Sequence, residues 1–204
     1  MRLSLCNEVV RDLPFAAQCE LAAALGYEGI ELAPFTLGEE PHRLPAAAMA
    51  RLRRAAADAG IAITSLHWLL VTPAGLSITS EDAAVRTRTL DVIAGLVDLA
   101  GALGATHLVH GSPAQRALPE GDARAAAHAR GIEVFAFAGE RAAAAGVTYC
   151  IEPLDRGQTE FVNTIAEAVA IVQTIGNPAL RTMLDTCSAA NTEAEAIEAL
   201  VARW

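Results

Sequence analysis

A chain of 204 residues, 53% of them hydrophobic and 4% aromatic, supplies one good core and reads as a single domain over 1–204. Its net charge is −9 and all 15 basic residues are arginine, which argues against a nucleic-acid partner and excludes both a P-loop lysine and Schiff-base chemistry. No run of about 18 apolar residues marks a membrane span, and the opening MRLSLCNEVVRD turns polar too early for a secretory signal, so a cytoplasmic protein with no membrane partner is expected.

In chain order, the first predicted strand covers 3–7 and ends on Asn7. A helix over 13–25 follows, with Phe15, Cys19 and Ala22 at helical spacing. It stops at Gly26 in LGYEGIEL, which runs into a strand over 29–33 carrying Glu31. The next helix, 45–59, stops at Gly60 in AGIAITSL and leads to a strand over 61–67 ending on His67. Ser80 before the acidic pair Glu81 and Asp82 starts a helix over 81–103. Gly104 in LGATHLVH opens a strand over 106–111 that holds His110, with His107 on the opposite face. A helix over 121–145 stops at Gly146, and AGVTYCIE gives a strand over 147–152 ending on Glu152. Thr164 and Glu167 match the T-x-x-E capping box of a helix over 164–175. Gly176 precedes the strand 181–185, ending on Asp185, and Thr192 with Glu195 predicts a last helix over 192–204.

Helix, glycine and strand repeat at the size of one βα unit, which predicts parallel strands. No G-x-G-x-x-G is present, and polar residues end every strand. In an open doubly wound sheet those ends would be scattered, whereas in a (β/α) TIM barrel they meet at one mouth. The expected fold is therefore α/β, a TIM barrel of which about six of eight βα units are present.

Glu152 and Asp185 are the strongest candidates for chemistry. Each follows an apolar run, and two carboxylates at one end of a sheet repel unless a cation or proton lies between them. Glu31 reads equally as a site residue or as a capping or salt-bridge partner. Arg156 reads equally as a phosphate or carboxylate contact or as a loop salt bridge. Trp68 reads as an aromatic stacking platform or, by alternation from His67, as a core residue. Cys6, Cys19, Cys150 and Cys187 form no C-x-x-C pair and are expected to be small buried hydrophobes rather than a zinc or disulfide site.

The stretches LGYEGIEL, SLHWLL, LVHGSP, IEPLDRGQTEFVNT and MLDTCSAAN together resemble the sugar phosphate isomerase/epimerase superfamily, the xylose isomerase-like TIM barrels. The resemblance implies a divalent metal (Mn, Mg, Co or Zn) held by four side chains, of which Glu152 and Asp185 match the first two. The other two belong to a seventh and an eighth strand, so the chain is expected to be C-terminally truncated, with an incomplete metal site and apolar edges that favour a homo-oligomer. The resemblance also implies that Glu152 transfers protons through an enediolate, and that His67 and His110 line a carbohydrate pocket. Two positions depart from the family pattern: Gln158 stands where its epimerases carry Glu, and Ser188 where they carry His. Two other readings are an endonuclease IV-like phosphodiesterase, which needs a basic surface, and a degenerate, non-catalytic barrel.

Overall fold

Each strand hydrogen-bonds to the strand before it in the chain. The computed structural model describes residues 2–204, and its single sheet runs in the order β1 to β6. The strands are β1 (Ser4–Cys6), β2 (Gly29–Leu32), β3 (Ala62–His67), β4 (His107–His110), β5 (Thr148–Ile151) and β6 (Leu180–Thr182). Every pairing is parallel. Helices α1 (Phe15–Ala24), α2 (Ala46–Asp58), α3 (Ala83–Leu103), α4 (Ala123–Ala145) and α5 (Ile165–Ile175) alternate with them, and α6 (Thr186–Thr192) and α7 (Ile197–Arg203) follow β6. Six consecutive βα units in one unreversed order are the architecture of a TIM barrel.

The sheet has two unlike sides. Residues in register across parallel strands point the same way, and neighbours along a strand point opposite ways. Ile30, Leu32, Leu66, Leu108, Tyr149, Ile151 and Leu180 share one side and are all fully buried. They meet Val92 and Leu96 of α3, Phe135 and Ala138 of α4, and Ile171 of α5 in one core. The other side carries Cys6, Glu31, Ser65, His67, Val109 and Cys150. A doubly wound sheet would bury both sides under helices; here the second side turns polar toward the strand ends.

One irregularity decides what that polar side contains. Ile30 pairs with Ile63, but Glu31 pairs with Ser65, so Thr64 is an extra residue on β3. Bulges of this kind re-aim the side chains beyond them. Ile61 and Ile63 face the core before the bulge and Leu66 faces it after. Ser65 and His67 are thereby turned to the side of Glu31; a regular β3 would have sent them to the helices.

The start and stop signals hold at most positions. All five predicted helix-end glycines have positive φ, between 69° and 85°. The Thr164–Glu167 capping box closes in both directions. Asp82 rather than Ser80 caps α3, its side chain accepting from the Ala84 amide. The predicted helix over 192–204 needs correction: Thr192 ends α6, and the chain is extended at Glu193 before α7 begins. The reason is Asp185, which accepts from the amides of Cys187 and Ser188 and starts a helix earlier. The same bonds end β6 at Thr182, three residues short of the predicted end. Trp68 is also not core: it is 40% exposed, and its φ of 53° ends the strand alternation that would have turned it outward into the helix layer.

Candidate functional site

Glu31 lies on the polar side of β2. Its Oε1 accepts from Ser65 Oγ at 2.6 Å and its Oε2 from Cys6 Sγ at 3.0 Å. His67 stands beside it, 8% exposed. Its Nδ1 is 3.5 Å from Glu31 Oε2, and its Nε2 is 3.5 Å from Glu8 Oε2. Neither ring nitrogen has a hydrogen-bond partner among the described residues. The Cys6 thiol is pushed up to about 12, first by burial, then by its bond to Glu31 and the charges of Glu31, Glu8 and Glu152.

Glu152 stands one residue past β5. Its amide donates to the His110 carbonyl at 3.3 Å, and its carbonyl accepts from Arg116 Nη2 at 2.8 Å. The carboxylate passes over Gly111, where any Cβ would collide with it. Only glycine permits so close an approach. Burial raises the Glu152 carboxyl to about 7, the charges of Asp185 and Glu31 add to the rise, and Arg116 opposes it. The loop beyond is pinned by Asn163, whose Nδ2 donates to the carbonyls of Leu154 and Thr159, each at 2.8 Å. Fully buried Phe161 anchors it against Phe135 and His128.

Asp185 has a second occupation as the cap of α6. Its Oδ1 accepts from the Cys187 amide at 3.0 Å; its Oδ2 accepts from the Ser188 amide at 3.2 Å and from Ser188 Oγ at 2.6 Å. A carboxylate offers about four lone-pair sites, so three bonds leave room for a further contact. Ser188, where the family pattern carries a histidine, therefore steadies Asp185. Gln158, the other departure, bonds to Asp155 on the same loop.

Not every expected residue joins this group. His110 pairs in register with Ile151 and so points into the helix layer rather than the opening. Its ring is fully buried, edge-on to Phe135, with Nδ1 2.7 Å from the Tyr149 hydroxyl. Burial, with Arg116 nearby, drives its pKa down to about 3. Arg156 also lies elsewhere: it bonds to Asn163 Oδ1 at 3.2 Å, pairs with Glu167 at 3.8 Å, and lines a groove of about 420 Å³ that also borders His128 of α4 and Thr174 of α5.

Three residues of the site went unread in the sequence. Cys6 and Glu8 join it only through the β1–β2 pairing and the turn after β1. Arg116 is fully buried, with Nε and Nη1 lacking partners among the described residues. Burial pulls its pKa down to about 10 against the favourable charge of Glu152. Nothing local in SPAQRALPE marks it as a core cation.

The pattern of the family described as xylose isomerase-like TIM barrel matches residues 19–203. D-psicose 3-epimerase from Agrobacterium fabrum (strain C58) is 33% identical over 183 residues, covering 84% of this chain and 58% of that protein. This chain therefore spans under two thirds of that relative's length. A crystal structure of a D-psicose 3-epimerase in the presence of D-fructose superposes with a TM-score of 0.81 at 26% identity, over 96% of this chain and 67% of the other. The D-psicose 3-epimerase with D-tagatose from Clostridium cellulolyticum H10 gives a TM-score of 0.80 at 20% identity, over 99% and 69%, a likeness of fold. No described helix is long and apolar enough to cross a membrane.

Proposed function

Because the chain belongs to the xylose isomerase-like TIM-barrel family, we propose that it serves in a divalent-metal-dependent isomerase or epimerase. The substrate would be a small sugar, sugar phosphate or hydroxy-keto compound, converted by proton transfer next to a carbonyl. The observation that carries this reading is the meeting of Glu152 and Asp185 beyond β5 and β6, close enough for one charge to raise the pKa of the other. The relative that is 33% identical and named a sugar epimerase supports the same class.

The donor set suits a hard divalent cation. Two partly buried, mutually repelling carboxylates gain from a positive ion between them. The oxygens of Glu152 accept no hydrogen bond among the described residues, and Asp185 keeps a free lone pair. Glu152 and Asp185 would hold Mn, Mg, Co or Zn, and the bound ion would polarise the substrate oxygens. The two further ligands implied by the resemblance belong to strands beyond the six of this chain.

Glu152 would do the proton work. Burial and the neighbouring acids push its carboxyl up to about 7 in the metal-free chain, and a carboxylate beside the substrate carbon can take a proton and return it. Gly111 and Arg116 position it: one by leaving space, the other by holding its backbone carbonyl. His110 and Arg156 have no part in this reading, since one is sealed in the helix layer and the other sits on an outer groove.

The test is exchange chemistry. A panel of ketoses is incubated with the protein and saturating manganese in deuterated water, and label entering the carbon next to the carbonyl is followed by NMR. Enzyme-dependent label that Glu152→Gln removes supports the proposal. Label that persists undiminished in Glu152→Gln takes the proton transfer away from this residue, and no label with any ketose removes the activity.

A further inference from the structure

We propose that Cys6, Glu31 and His67 form a second metal site, selective for zinc-like ions, on β1 to β3 and separate from the Glu152–Asp185 pair. The inference does not depend on the proposed epimerase activity. One ligating atom from each of the three residues lies within 4.8 Å of the other two. The Cys6 Sγ to Glu31 Oε2 separation is 3.0 Å, and Glu31 Oε2 to His67 Nδ1 is 3.5 Å. With Zn–S about 2.3 Å and Zn–N or Zn–O about 2.0–2.2 Å, tetrahedral ligand atoms lie about 3.4–3.6 Å apart. Small side-chain rotations would meet that geometry without moving a strand.

Burial of His67 is the second, independent observation. The residue is 8% exposed, yet both ring nitrogens lack a hydrogen-bond partner among the described residues. Buried polar atoms are nearly always satisfied, so an imidazole orphaned at both ends calls for a ligand. The orientation says which kind. Nδ1 faces Glu31 Oε2, the oxygen that also accepts from Cys6 Sγ, and Nε2 faces Glu8 Oε2 at 3.5 Å. A metal-bound histidine commonly gives its other N–H to a carboxylate, which fixes the ring and its tautomer. Glu31 has outer support of the same sort, because Ser65 Oγ holds its second oxygen at 2.6 Å. The three donors are thus backed by Glu8 and Ser65.

Ligand softness selects the ion. A thiolate with an imidazole favours zinc or cobalt over magnesium or calcium, and one carboxylate is compatible with that choice. Three protein ligands leave a fourth position for water or a substrate oxygen. The proton now on Cys6, held against Glu31 Oε2, leaves to solvent as the metal enters.

Cobalt titration of the metal-free chain is the test, because a thiolate bound to Co(II) shows a sulfur-to-metal charge-transfer band. The expected result is one cobalt per chain, a thiolate band with tetrahedral visible bands, and displacement by zinc. Cys6→Ser should delete the charge-transfer band while the far-UV circular dichroism stays native. Glu8→Gln should keep the band and weaken affinity about 10- to 100-fold, which preserves the test should Cys6→Ser misfold. Cys187→Ser, Glu152→Gln and Asp185→Asn should all keep the band. No cobalt binding, binding without a thiolate band, a band that survives Cys6→Ser, or a band lost in Asp185→Asn would each overturn the proposal.

Discussion

The two walls of the opening manage negative charge in opposite ways. On the β1–β3 wall, Glu31 is satisfied by Ser65 and Cys6, and the unsatisfied group is the imidazole of His67. On the β5–β6 wall, the Glu152 carboxylate is the stressed group, raised to about 7 by burial and by Asp185, with only Arg116 opposing. A hydrogen-bonded carboxylate is quiet, whereas a buried one short of partners is reactive. The contrast separates a wall whose acid is already hydrogen-bonded from a wall whose acids are left free for a cation and a proton.

The largest effect that would break this contrast is at Glu152. Glu152→Gln should lower turnover by about 10²- to 10⁴-fold, measured as ketose exchange at saturating manganese. Asp185→Asn should be partly rescued by excess metal. In metal-free buffer the same Glu152→Gln should stabilise the fold. The folded pKa of Glu152 lies above its ordinary value of 4.5, so its contribution to stability is complete below pH 4.5 and lost as pH rises through about 7. At pH 8 the charged form is a burden, and its removal should gain about 1–3 kcal/mol in urea unfolding. A loss of stability at pH 8 would mean that this carboxylate is quiet after all.

Next comes the support behind that wall. Gly111→Ala forces the Glu152 carboxylate aside and should cost about 1–3 kcal/mol in urea unfolding. Adding Glu152→Asp, one methylene shorter, should recover part of that cost. His110 gives a pH signature of similar size. Its folded pKa of about 3 lies far below the ordinary value of 6.5. The unfolded chain therefore takes up the proton first, and stability falls as pH drops from 6.5 toward 3. Between pH 7 and pH 5 that loss is about 2 kcal/mol, and His110→Gln should remove it from the difference in urea midpoints. The smallest effect belongs to Arg156. Its contact with Glu167 is long and exposed, so Arg156→Ala should change stability by less than about 0.5 kcal/mol.

What the sequence disclosed follows from how far each signal reaches. Helix-end glycines and the Thr164–Glu167 box act within one turn, and they marked the helices within a few residues. Glu152 and Asp185 were legible because an acid after an apolar run is a local anomaly. His110 was misplaced because alternation gives relative parity only; its register with Ile151 on β5 sets the absolute side. His67 was placed correctly, yet its orientation depends on the Thr64 bulge, whose trace in the sequence is the apolar step from Ile61 and Ile63 to Leu66. Cys6 and Glu31 are 25 residues apart, and only the β1–β2 register joins them. Arg116 left no trace, because a buried cation in a loop obeys no periodicity.

The unbroken strand order has a consequence in time. Each strand pairs with the one made just before it, so no segment waits for a distant partner before it can dock. A chain emerging from the ribosome at roughly 5–20 residues per second holds Cys6, Glu31 and His67 once residue 67 is out. The β1–β3 wall can therefore assemble, with its cysteine gathered in, while the stretch that contains Glu152 has yet to be synthesised. The half of the mouth whose acid is already satisfied is built first, and the half with the costly carboxylate is laid onto a frame already standing.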